Sequence, residues 1–475
     1  MGKNIFNRSN LKKTYYYLKK NGWKDAYYAV KERISGGNAD SYRYCAPEEE
    51  ELAGQREESA ASSKLFSILV PAYETSPVYL KEMIDSVLNQ TYPGFELVIA
   101  DASRSDMVEK VVKAYTDARI RYRRLLQNKG ISENTNEALS MADGAYIGLL
   151  DHDDLLTPDA LYQMAQAITK CEKQGMAAGF LYSDEDKGNG DCTLFYEPHL
   201  KPELDIDLLL SNNYICHFLV MERELMKKLK FRPAFDGAQD YDLILRAVWE
   251  LREDKQPVVH IPEVLYHWRC HEGSTAQNPQ SKSYAYEAGR RAVEDFIAKA
   301  GWQAKVTGSR HLGFYEVEYL PDIFSQRQEV GVIGGKLLDG NDKITGGIYD
   351  EGGQALYVGL HKEYSGYMHR AALSQEAYAV DVRCMRVRKS LWALFEEVFG
   401  VPYREREKDR FFDWQAVENE YRKKGEQEIS GEQWQKCSLV FCRRVREAGC
   451  LVIWMPQNTE VIKKGKKDEG NGSNT

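Results

Sequence analysis

The sequence predicts an α/β protein built on a mostly parallel, doubly wound sheet. Short apolar runs alternate with amphipathic helical patterns from Leu65 to Leu150. Repeats of this kind form parallel sheets with helices on both faces. Each apolar run is also followed by polar side chains, and ligands of such sheets bind beyond the carboxyl ends of the strands. We therefore expect a binding pocket at that edge.

The apolar and helical periods fix the order of the elements. Strands are predicted over 66–70, 97–100, 120–126 and 145–150, with helices over 80–88, 108–115 and 131–141 between them. The polar residues that follow the four strands are Glu74, Asp101, Asn128, and the pair Asp151 and Asp153. One carboxylate at a strand end is unremarkable, but polar groups after all four strands predict a pocket.

Size and composition limit the class of protein. At 475 residues the chain exceeds one ordinary core, so two domains with tails are expected. A net charge of −8 argues against nonspecific nucleic-acid binding, which needs a positive field. Nine dispersed cysteines without a C-x-x-C pair indicate reduced thiols. No apolar run reaches the ~18–20 residues that span a bilayer, and no signal-peptide core is present, so we expect a cytoplasmic protein.

Residues 1–35 form a basic, tyrosine-rich segment with helical character. Its lysines and tyrosines alternate: Lys12, Lys13, Tyr15, Tyr16, Tyr17, Lys19 and Lys20. Two interpretations stay open, a helix packed on the main domain or a peripheral contact with the anionic inner face of the plasma membrane. Residues 36–63, with a glycine pair, an EEEEL run and SAASS, are predicted to be a linker.

The stretch from Asp151 to Asp154, DHDD, follows the fourth strand directly. Clustered carboxylates repel one another unless water or a cation stands between them. The stretch is therefore either a solvated turn, in which Asp154 or Thr157 caps the next helix, or a site for Mg²⁺ or Mn²⁺. The local residues alone leave both interpretations open.

Several nucleotide and metal motifs are absent. The loop after the first strand, Pro71 to Thr75, contains no G-x-G-x-x-G, and neither a P-loop nor H-E-x-x-H occurs in the chain. A sugar-phosphate nucleotidyltransferase would need a glycine-rich, basic loop at this position. These absences disfavour dinucleotide-binding enzymes, P-loop enzymes, zinc peptidases and nucleotidyltransferases.

Seven motifs in order resemble family 2 glycosyltransferases, which have the GT-A fold. They are SILVPAYETSP with ELVIAD, NKGISENTNEAL, GLLDHDDLLTPDAL, LYSDEDK, LLLSNNYICHFLV, FDGAQDYDLILR and VLYHWRCHEGSTA. The resemblance covers roughly 65–300 and is strongest to a bacterial, rhamnosyltransferase-like subgroup that builds cell-surface polysaccharide. It implies a catalytic domain over 64–305.

The resemblance assigns residues to the nucleotide-sugar donor and its metal. It implies donor contacts for Pro71, Tyr73, Glu74, Asp101, Asn128, Gly130, Asp151 and Arg269, with Arg269 neutralising diphosphate charge. Asp151 and Asp153 match the D-x-D that binds Mg²⁺ or Mn²⁺ together with the diphosphate. His267 or His271 could complete the metal shell or contact phosphate, and we assign His267 to the metal. Ala102 stands where the family often has a second acidic residue.

The resemblance also implies how the acceptor is activated. Asp240 matches the general base of inverting members, although a carboxylate there can instead cap the following helix. Asp242 is assigned to capping. Gln239, where many members have Glu, is placed on the acceptor side with His271. The loop residues Asp184, Glu185 and Asp186 are expected to hydrogen-bond acceptor sugar hydroxyls.

Residues 326–460 partly repeat the pattern without its acidic motifs, so they are predicted to be a truncated, catalytically silent GT-A-like lobe, and 461–475 a disordered tail. The expected function is inverting, metal-dependent transfer of a sugar from a nucleotide-diphospho donor to a cell-surface glycan or lipid-linked acceptor. The alternative is a pseudoenzyme that binds nucleotide sugar or glycan and organises other transferases. Donor hydrolysis with Mn²⁺ separates the two.

Overall fold

The structure is a computed structural model that describes residues 8–35, 42–60, 62, 64–271, 283–425 and 429–462. Of the predicted tail, 461–475, Val461 is the last residue of a strand, and residues 463–475 lie outside the described residues. Residues 272–282, which include EGSTA of the seventh motif, also lie outside them.

The first sheet contains nine strands among the described residues. They are β1 (Phe66–Ala72), β2 (Phe95–Asp101), β3 (Ile120–Arg124), β4 (Tyr146–Leu149), β5 (Leu155–Leu156), β6 (Phe180–Gly188), β7 (Phe195–His199), β8 (Leu219–Glu222) and β9 (Val258–Arg269). The helices up to the end of this part are α1 (Arg8–Ser35), α2 (Glu49–Ser59), α3 (Pro77–Leu88), α4 (Met107–Val112), α5 (Ile131–Met141), α6 (Ala160–Lys173), α7 (Ile206–Ser211), α8 (Arg223–Leu229), α9 (Gln239–Glu253) and α10 (Ser283–Lys299).

The strand order of this sheet is β3-β2-β1-β4-β8-β6-β9-β5, with β7 beside β6. The first four strands are mutually parallel, β8 is antiparallel to both β4 and β6, and β6 is parallel to β9. Ala72 pairs with Asp101, so the carboxyl ends of β1 and β2 lie side by side. The predicted α/β fold is confirmed, and its continuously parallel part is this four-stranded half.

Hydrophobic cores lie on both faces of the sheet. One contains the buried side of α3, Leu80, Met83, Ile84 and Val87, with α4 and α6, and the other contains α5 and α7 to α10. Strand β2, FELVIAD, is buried at every position, as expected for a strand covered on both faces. The apolar periods of the sequence therefore locate the helices correctly.

Three sequence predictions differ from the structure. The segment 36–63 contains helix α2, anchored by buried Leu52 and Gln55, so it is not simply a linker. Residues 184–186 lie within strand β6, and His267 and Arg269 within β9, although both segments were predicted to be loops. In each case tertiary packing outweighs a polar composition that is typical of exposed segments.

The second part of the chain forms a hairpin and a smaller α/β lobe. Its strands are β10 (Ala304–Gly308), β11 (Tyr315–Tyr319), β12 (Val330–Leu338), β13 (Ile344–Gly346), β14 (Ile348–Tyr349), β15 (Gln375–Glu376), β16 (Ala379–Val380), β17 (Met385–Val387) and β18 (Leu451–Val461), and its helices are α11 (Ile323–Gln326), α12 (Trp392–Phe399), α13 (Trp414–Lys424) and α14 (Gly431–Glu447). The five-stranded sheet has the order β13-β12-β18-β15, with β17 on β12, and only β12 and β18 are parallel among its described strands. The lobe is α/β as predicted and lacks the parallel run of the first sheet.

Helix α1 packs on the second lobe and its adjoining hairpin. Tyr28 stacks on His361 at 4.5 Å between ring centroids, and Glu32 accepts hydrogen bonds from the backbone N–H groups of Ser365 and Gly366. The helix is kinked at Gly22, whose φ is 83°. Among the described residues, no helix is long and apolar enough to cross a membrane.

Candidate functional site

The loops after β1 and β2 hold each other through hydrogen bonds. Glu74 accepts from the backbone N–H of Arg104 at 2.7 Å and from the Ser105 hydroxyl at 2.7 Å, and these bonds lower the pKa of its carboxyl. Asp101 is fully buried and accepts from the Tyr122 hydroxyl at 2.7 Å. Both carboxylates thus shape the strand ends, while the ring of Tyr73 remains exposed beside them.

Asn128 and Gly130 shape the start of α5. The Asn128 carbonyl oxygen accepts from the backbone N–H of Gly130 at 3.0 Å and from the Asn134 amide at 2.9 Å. Gly130 has φ 100°, and a Cβ there would lie 2.3 Å from Asp236 Oδ2. Only glycine fits at position 130. The start of α5 can therefore lie close against Asp236, in the loop that leads to Asp240.

The DHDD turn is tied to β9 by its last carboxylate. Asp154 is buried, and it accepts from the Tyr266 hydroxyl and from the backbone N–H of Arg269 at 2.7 Å. Burial raises the pKa of Asp154 well above its ordinary value, and the nearby Asp151 and Asp153 add to the effect. Asp154 therefore does not cap the following helix. It fixes the turn, in which Asp151 lines the pocket and the Asp153 carboxylate contacts His271.

Asp151 stands at the mouth of a cleft with about 550 Å³ of empty space. The Asp151 side chain is 56% exposed to solvent. Neighbouring protein groups nevertheless exclude part of the water around its carboxylate. This desolvation raises the pKa of Asp151, and Asp153 and Asp240 contribute in the same direction while His217 opposes them. A cation at this position would relieve the accumulated negative charge.

His217 lies between Asp151 and Glu185. Its Nε2 is 3.9 Å from Asp151 Oδ2 and its Nδ1 is 3.0 Å from Glu185 Oε2, and the ring stacks on Tyr266 at 4.8 Å. Burial favours the neutral ring, but Cys216 and Glu185 outweigh it and raise the pKa of His217 well above its ordinary value. No role for His217 was predicted from the sequence, although this residue lies within the motif LLLSNNYICHFLV.

Glu185 carries a compensated negative charge inside the protein. Burial alone would raise its pKa, but the Lys201 ammonium and the imidazoles of His199 and His217 hold the pKa well below its ordinary value. Asp184 instead accepts from the Lys201 backbone N–H at 2.8 Å and lies 2.8 Å from His260 Nε2. Of the three predicted acceptor-side carboxylates, Glu185 alone contacts the lining of this cleft in the described structure.

Asp240 and Gln239 line the same cleft from the first turn of α9. Asp240 Oδ2 accepts from the Asn213 amide at 3.0 Å, and the Gln239 side chain accepts from the backbone N–H of Gly237 at 2.8 Å. Pro71 forms part of the opposite wall. The cleft therefore brings Asp151, the proposed metal carboxylate, together with Asp240, the proposed base.

The neighbouring Asp242 has a different environment. It is buried, and its carboxylate accepts from Arg232 and from Arg246, the latter at 2.7 Å. The predicted capping role is wrong, because both oxygens bind guanidinium groups.

His267 lies apart from the D-x-D. It is buried, its Nδ1 is 2.6 Å from Asp186 Oδ1, and its ring stacks on Phe195 at 3.9 Å. His271 is the histidine beside the turn, with Nε2 2.9 Å from Asp153 Oδ2. The structure therefore corrects the assignment of His267 to the metal, and it also places His271 with the D-x-D rather than on the acceptor side.

Arg269 is buried behind the DHDD turn. Its Nη1 pairs with Glu82 at 2.8 Å and donates to the carbonyl of Gly190 at 2.9 Å, and its guanidinium lies 4.6 Å from the Tyr79 ring centroid. This position differs from the predicted contact with diphosphate. The arrangement makes Arg269 a support for the turn that carries Asp153.

The carboxylates present fit a hard divalent cation that is completed by its substrate. Among the described residues, only Asp205, Asp207 and Glu376 place three acidic or imidazole ligand atoms within 4.8 Å of one another, and none of these three lines the cleft. The D-x-D thus offers an incomplete shell. Mg²⁺ characteristically takes one or two protein carboxylates and fills its shell with water and phosphate oxygens, which is the donor set that Asp151 and Asp153 provide.

The site thus combines the edge of parallel strands, the paired carboxylates of the DHDD turn, a cleft, and a further carboxylate in the first turn of α9. Residues 67–230 match the family model described as glycosyl transferase family 2. The matched segment contains strands β2 to β8 and the DHDD turn.

Curated relatives share this region. The chain is 43% identical over 242 residues to the uncharacterized protein y4gI of Sinorhizobium fredii, which covers 50% of this chain and 26% of that protein. It is 32% identical over 292 residues to the O-antigen biosynthesis protein RfbC of Myxococcus xanthus, which covers 59% of this chain and 22% of that protein. The chain thus spans about a quarter of the length of these relatives.

Solved structures also resemble the chain. S. aureus TarS 1–349 in complex with UDP-GlcNAc matches with a TM-score of 0.39 and 20% identity, covering 49% of this chain and 66% of that one.

Proposed function

We propose that the protein transfers a sugar from a nucleotide-diphospho donor to a hydroxyl group of a cell-surface glycan or lipid-linked acceptor. The observation that carries this proposal is the shared cleft of Asp151 and Asp240 at the carboxyl edge of the parallel strands. The similarity to an O-antigen biosynthesis protein supports a bacterial surface polysaccharide as the product. A rhamnosyltransferase-like activity within this class is part of the proposal.

The donor occupies the strand ends. The loops of Glu74 and Asp101 offer the edge at which the base and ribose bind, with Tyr73 exposed beside them. Asp151 and Asp153 would hold Mg²⁺ or Mn²⁺, and the ion would supply Lewis-acid stabilisation of the leaving diphosphate. His271 and Arg269 hold Asp153 and its turn in position.

Asp240 acts as the general base in a single displacement. Its carboxylate accepts the proton of the acceptor hydroxyl, whose oxygen forms a bond to the anomeric carbon. The bond from that carbon to the diphosphate oxygen breaks, and the nucleoside diphosphate leaves with the bonding electrons. The attack comes from the face opposite the leaving group, so the configuration is inverted. The Asn213 amide fixes the Asp240 carboxylate while leaving its other oxygen for the hydroxyl.

Helix α1 provides a membrane contact in this proposal. Residues 1–35 contain nine Lys and Arg against two Asp and Glu, although the chain carries a net charge of −8. Trp23, Tyr27 and Val30 are exposed at helical spacing, on a stripe separate from the face that docks on the second lobe. A basic helix with exposed aromatic residues suits an anionic bilayer surface.

Donor turnover tests the proposed activity. The protein is incubated with Mn²⁺ and UDP-, GDP- or dTDP-sugars, and release of nucleoside diphosphate is measured with and without glycan acceptors. Turnover of at least one donor is expected. Nucleotide binding without any turnover would instead support a pseudoenzyme and overturn the proposal.

A further inference from the structure

A second and larger groove lies between the β10–β11 hairpin and the second lobe. It contains about 1940 Å³ of empty space. One wall is the hairpin, including Thr307 and residues 315–319, and the other is formed by Lys336 of β12 with residues 455–458. Its size suits an extended ligand, in contrast to the smaller cleft around Asp151.

The charges that line this groove nearly cancel. Four cationic side chains face five carboxylates: Arg310, Lys336, Lys362 and Arg386 against Glu316, Glu318, Asp322, Glu363 and Asp409. Several of these form pairs, since Arg386 binds Asp322 and Arg310 lies 3.5 Å from Glu363. A polyanion would meet repulsion from the carboxylates, and a purely apolar ligand would displace water from the charged groups without replacing its hydrogen bonds. The lining favours an uncharged ligand rich in hydrogen-bonding groups.

Two buried cations in the lining keep donor capacity. Lys336 is 4% exposed and donates to the carbonyl of Lys362 at 2.8 Å, and burial lowers the pKa of its ammonium to about 8. Arg386 is 8% exposed, and its Nε has no hydrogen-bond partner among the described residues. Leaving a buried donor without a partner costs free energy, and ligand hydroxyl oxygens could accept from these groups.

The groove adjoins the proposed base along a short stretch of chain. Ser211, the last residue of α7, forms part of the groove wall. Asn213, two residues later, donates its amide hydrogen bond to Asp240 at 3.0 Å. The backbone from Ser211 to Asn213 spans at most about 7 Å. One end of an extended ligand in the groove would therefore lie close to the entrance of the Asp240 cleft.

We propose that the groove between the β10–β11 hairpin and the second lobe binds the unreacted part of the acceptor glycan, as an uncharged, hydroxyl-rich oligosaccharide. The inference rests on the proposed sugar transfer, because the glycan held in the groove is the acceptor whose hydroxyl Asp240 deprotonates. It gives the second lobe, which the sequence predicts to be catalytically silent, a role in holding the growing glycan while its terminal sugar is extended.

The experiment measures oligosaccharide binding without donor. The full-length Asp240→Asn protein is tested on an array of uncharged oligosaccharides of increasing length, with heparin as an anionic comparison. Thr307→Trp and Gln457→Trp fill the groove from its two walls at exposed positions. Lys305→Trp is the matched control, because Lys305 is exposed on the same strand and does not line the groove. Thermal melts show that each variant folds.

We expect binding of an uncharged oligosaccharide that strengthens with length. The groove-filling variants should weaken it by about tenfold or more, and the Lys305→Trp variant should bind like its parent. Absence of binding to every uncharged oligosaccharide, preference for heparin, or equal binding by the groove-filling variants would each overturn the inference. Donor turnover reports separately on the proposed function, since an inactive protein that still binds oligosaccharide in the groove would refute the transfer and not the binding site.

Discussion

The imidazole of His271 lies against the Asp153 carboxylate, with Nε2 2.9 Å from Oδ2. The other histidine of the same segment, His267, pairs with Asp186 in a buried aromatic environment. The two histidines thus have separate partners, which makes the metal assignment testable by comparing them.

Asp153→Ala should abolish the Mn²⁺-dependent part of the thermal stabilisation that nucleoside diphosphates provide. His271→Ala should weaken Mn²⁺ affinity by about tenfold or more, because groups that orient or complete a metal shell typically contribute on that scale. Melting temperatures with UDP, GDP and dTDP, with and without Mn²⁺, give the measurement, since a ligand stabilises by mass action.

The control is His267→Ala, which should lower the melting temperature of the free protein and leave Mn²⁺ affinity unchanged. If His267→Ala weakened Mn²⁺ binding and His271→Ala did not, the correction of the metal assignment would be refuted.

Asp240→Asn should retain nucleotide binding and lose about 10²–10⁴ in the rate of transfer, which is the usual contribution of a general base. The isosteric amide keeps the shape of the side chain but cannot take the proton. Single-turnover transfer rates at saturating donor measure the effect. An Asn variant that transfers at the parental rate would show that Asp240 is not the base.

Asp242→Asn provides the matched comparison, two residues later in the first turn of α9. Its carboxylate is buried between Arg232 and Arg246, and removing one partner of a buried ion pair costs about 3–5 kcal/mol. This variant should therefore lower the free energy of unfolding, measured by urea denaturation, whereas Asp240→Asn should change it little. Equal destabilisation by both would assign Asp240 a structural role instead.

The site residues at the strand ends can be predicted from the sequence, because an apolar run followed by an acidic residue is a local pattern. Asp101 and Asp151 were located in this way. The roles of the later carboxylates were not, since pairing of β6 with β9 shifts register beside Asp184. Such irregularities change the direction in which side chains point. The alternation of residues along the strand therefore does not predict that Glu185 contacts His217 while Asp186 contacts His267.

Arg269 shows a second limit of sequence reasoning. Its position in the histidine-containing motif VLYHWRCHEGSTA suggested a phosphate contact, but its guanidinium pairs with Glu82 of α3. That partner is distant in the chain, and no local pattern predicts it. No role was predicted for His217, because a single histidine in an apolar motif is ordinarily a core residue. Its contact with Asp151 exists only in the folded sheet.

Glu376 should lower the free energy of unfolding as the pH rises from 4.5, the ordinary pKa of its carboxyl, to about 7. Burial and the negative Asp207 raise its pKa to about 7 in the folded protein. Between these values the folded state binds more protons than the unfolded state, so the free energy of unfolding decreases with increasing pH. Glu376→Gln should flatten the curve in this window, measured by urea denaturation across the pH range. Exposed Glu351→Gln is the control, and parallel curves for the parent and Glu376→Gln would contradict the prediction.

Trp23→Ser combined with Tyr27→Ser should reduce binding to phosphatidylglycerol vesicles and leave the fold intact. Trp23 is 81% exposed and Tyr27 is 58% exposed, so most of each side chain lies outside the contact of α1 with the second lobe. Interfacial aromatic residues anchor a helix whose lysines are attracted to anionic lipid, and the attraction should weaken with added salt. Flotation with phosphatidylglycerol and with phosphatidylcholine vesicles gives the bound fraction. Val358→Ser, at another exposed apolar position, should bind like the parent. If deletion of residues 1–35 left flotation with anionic vesicles unchanged, the segment would not be the membrane contact.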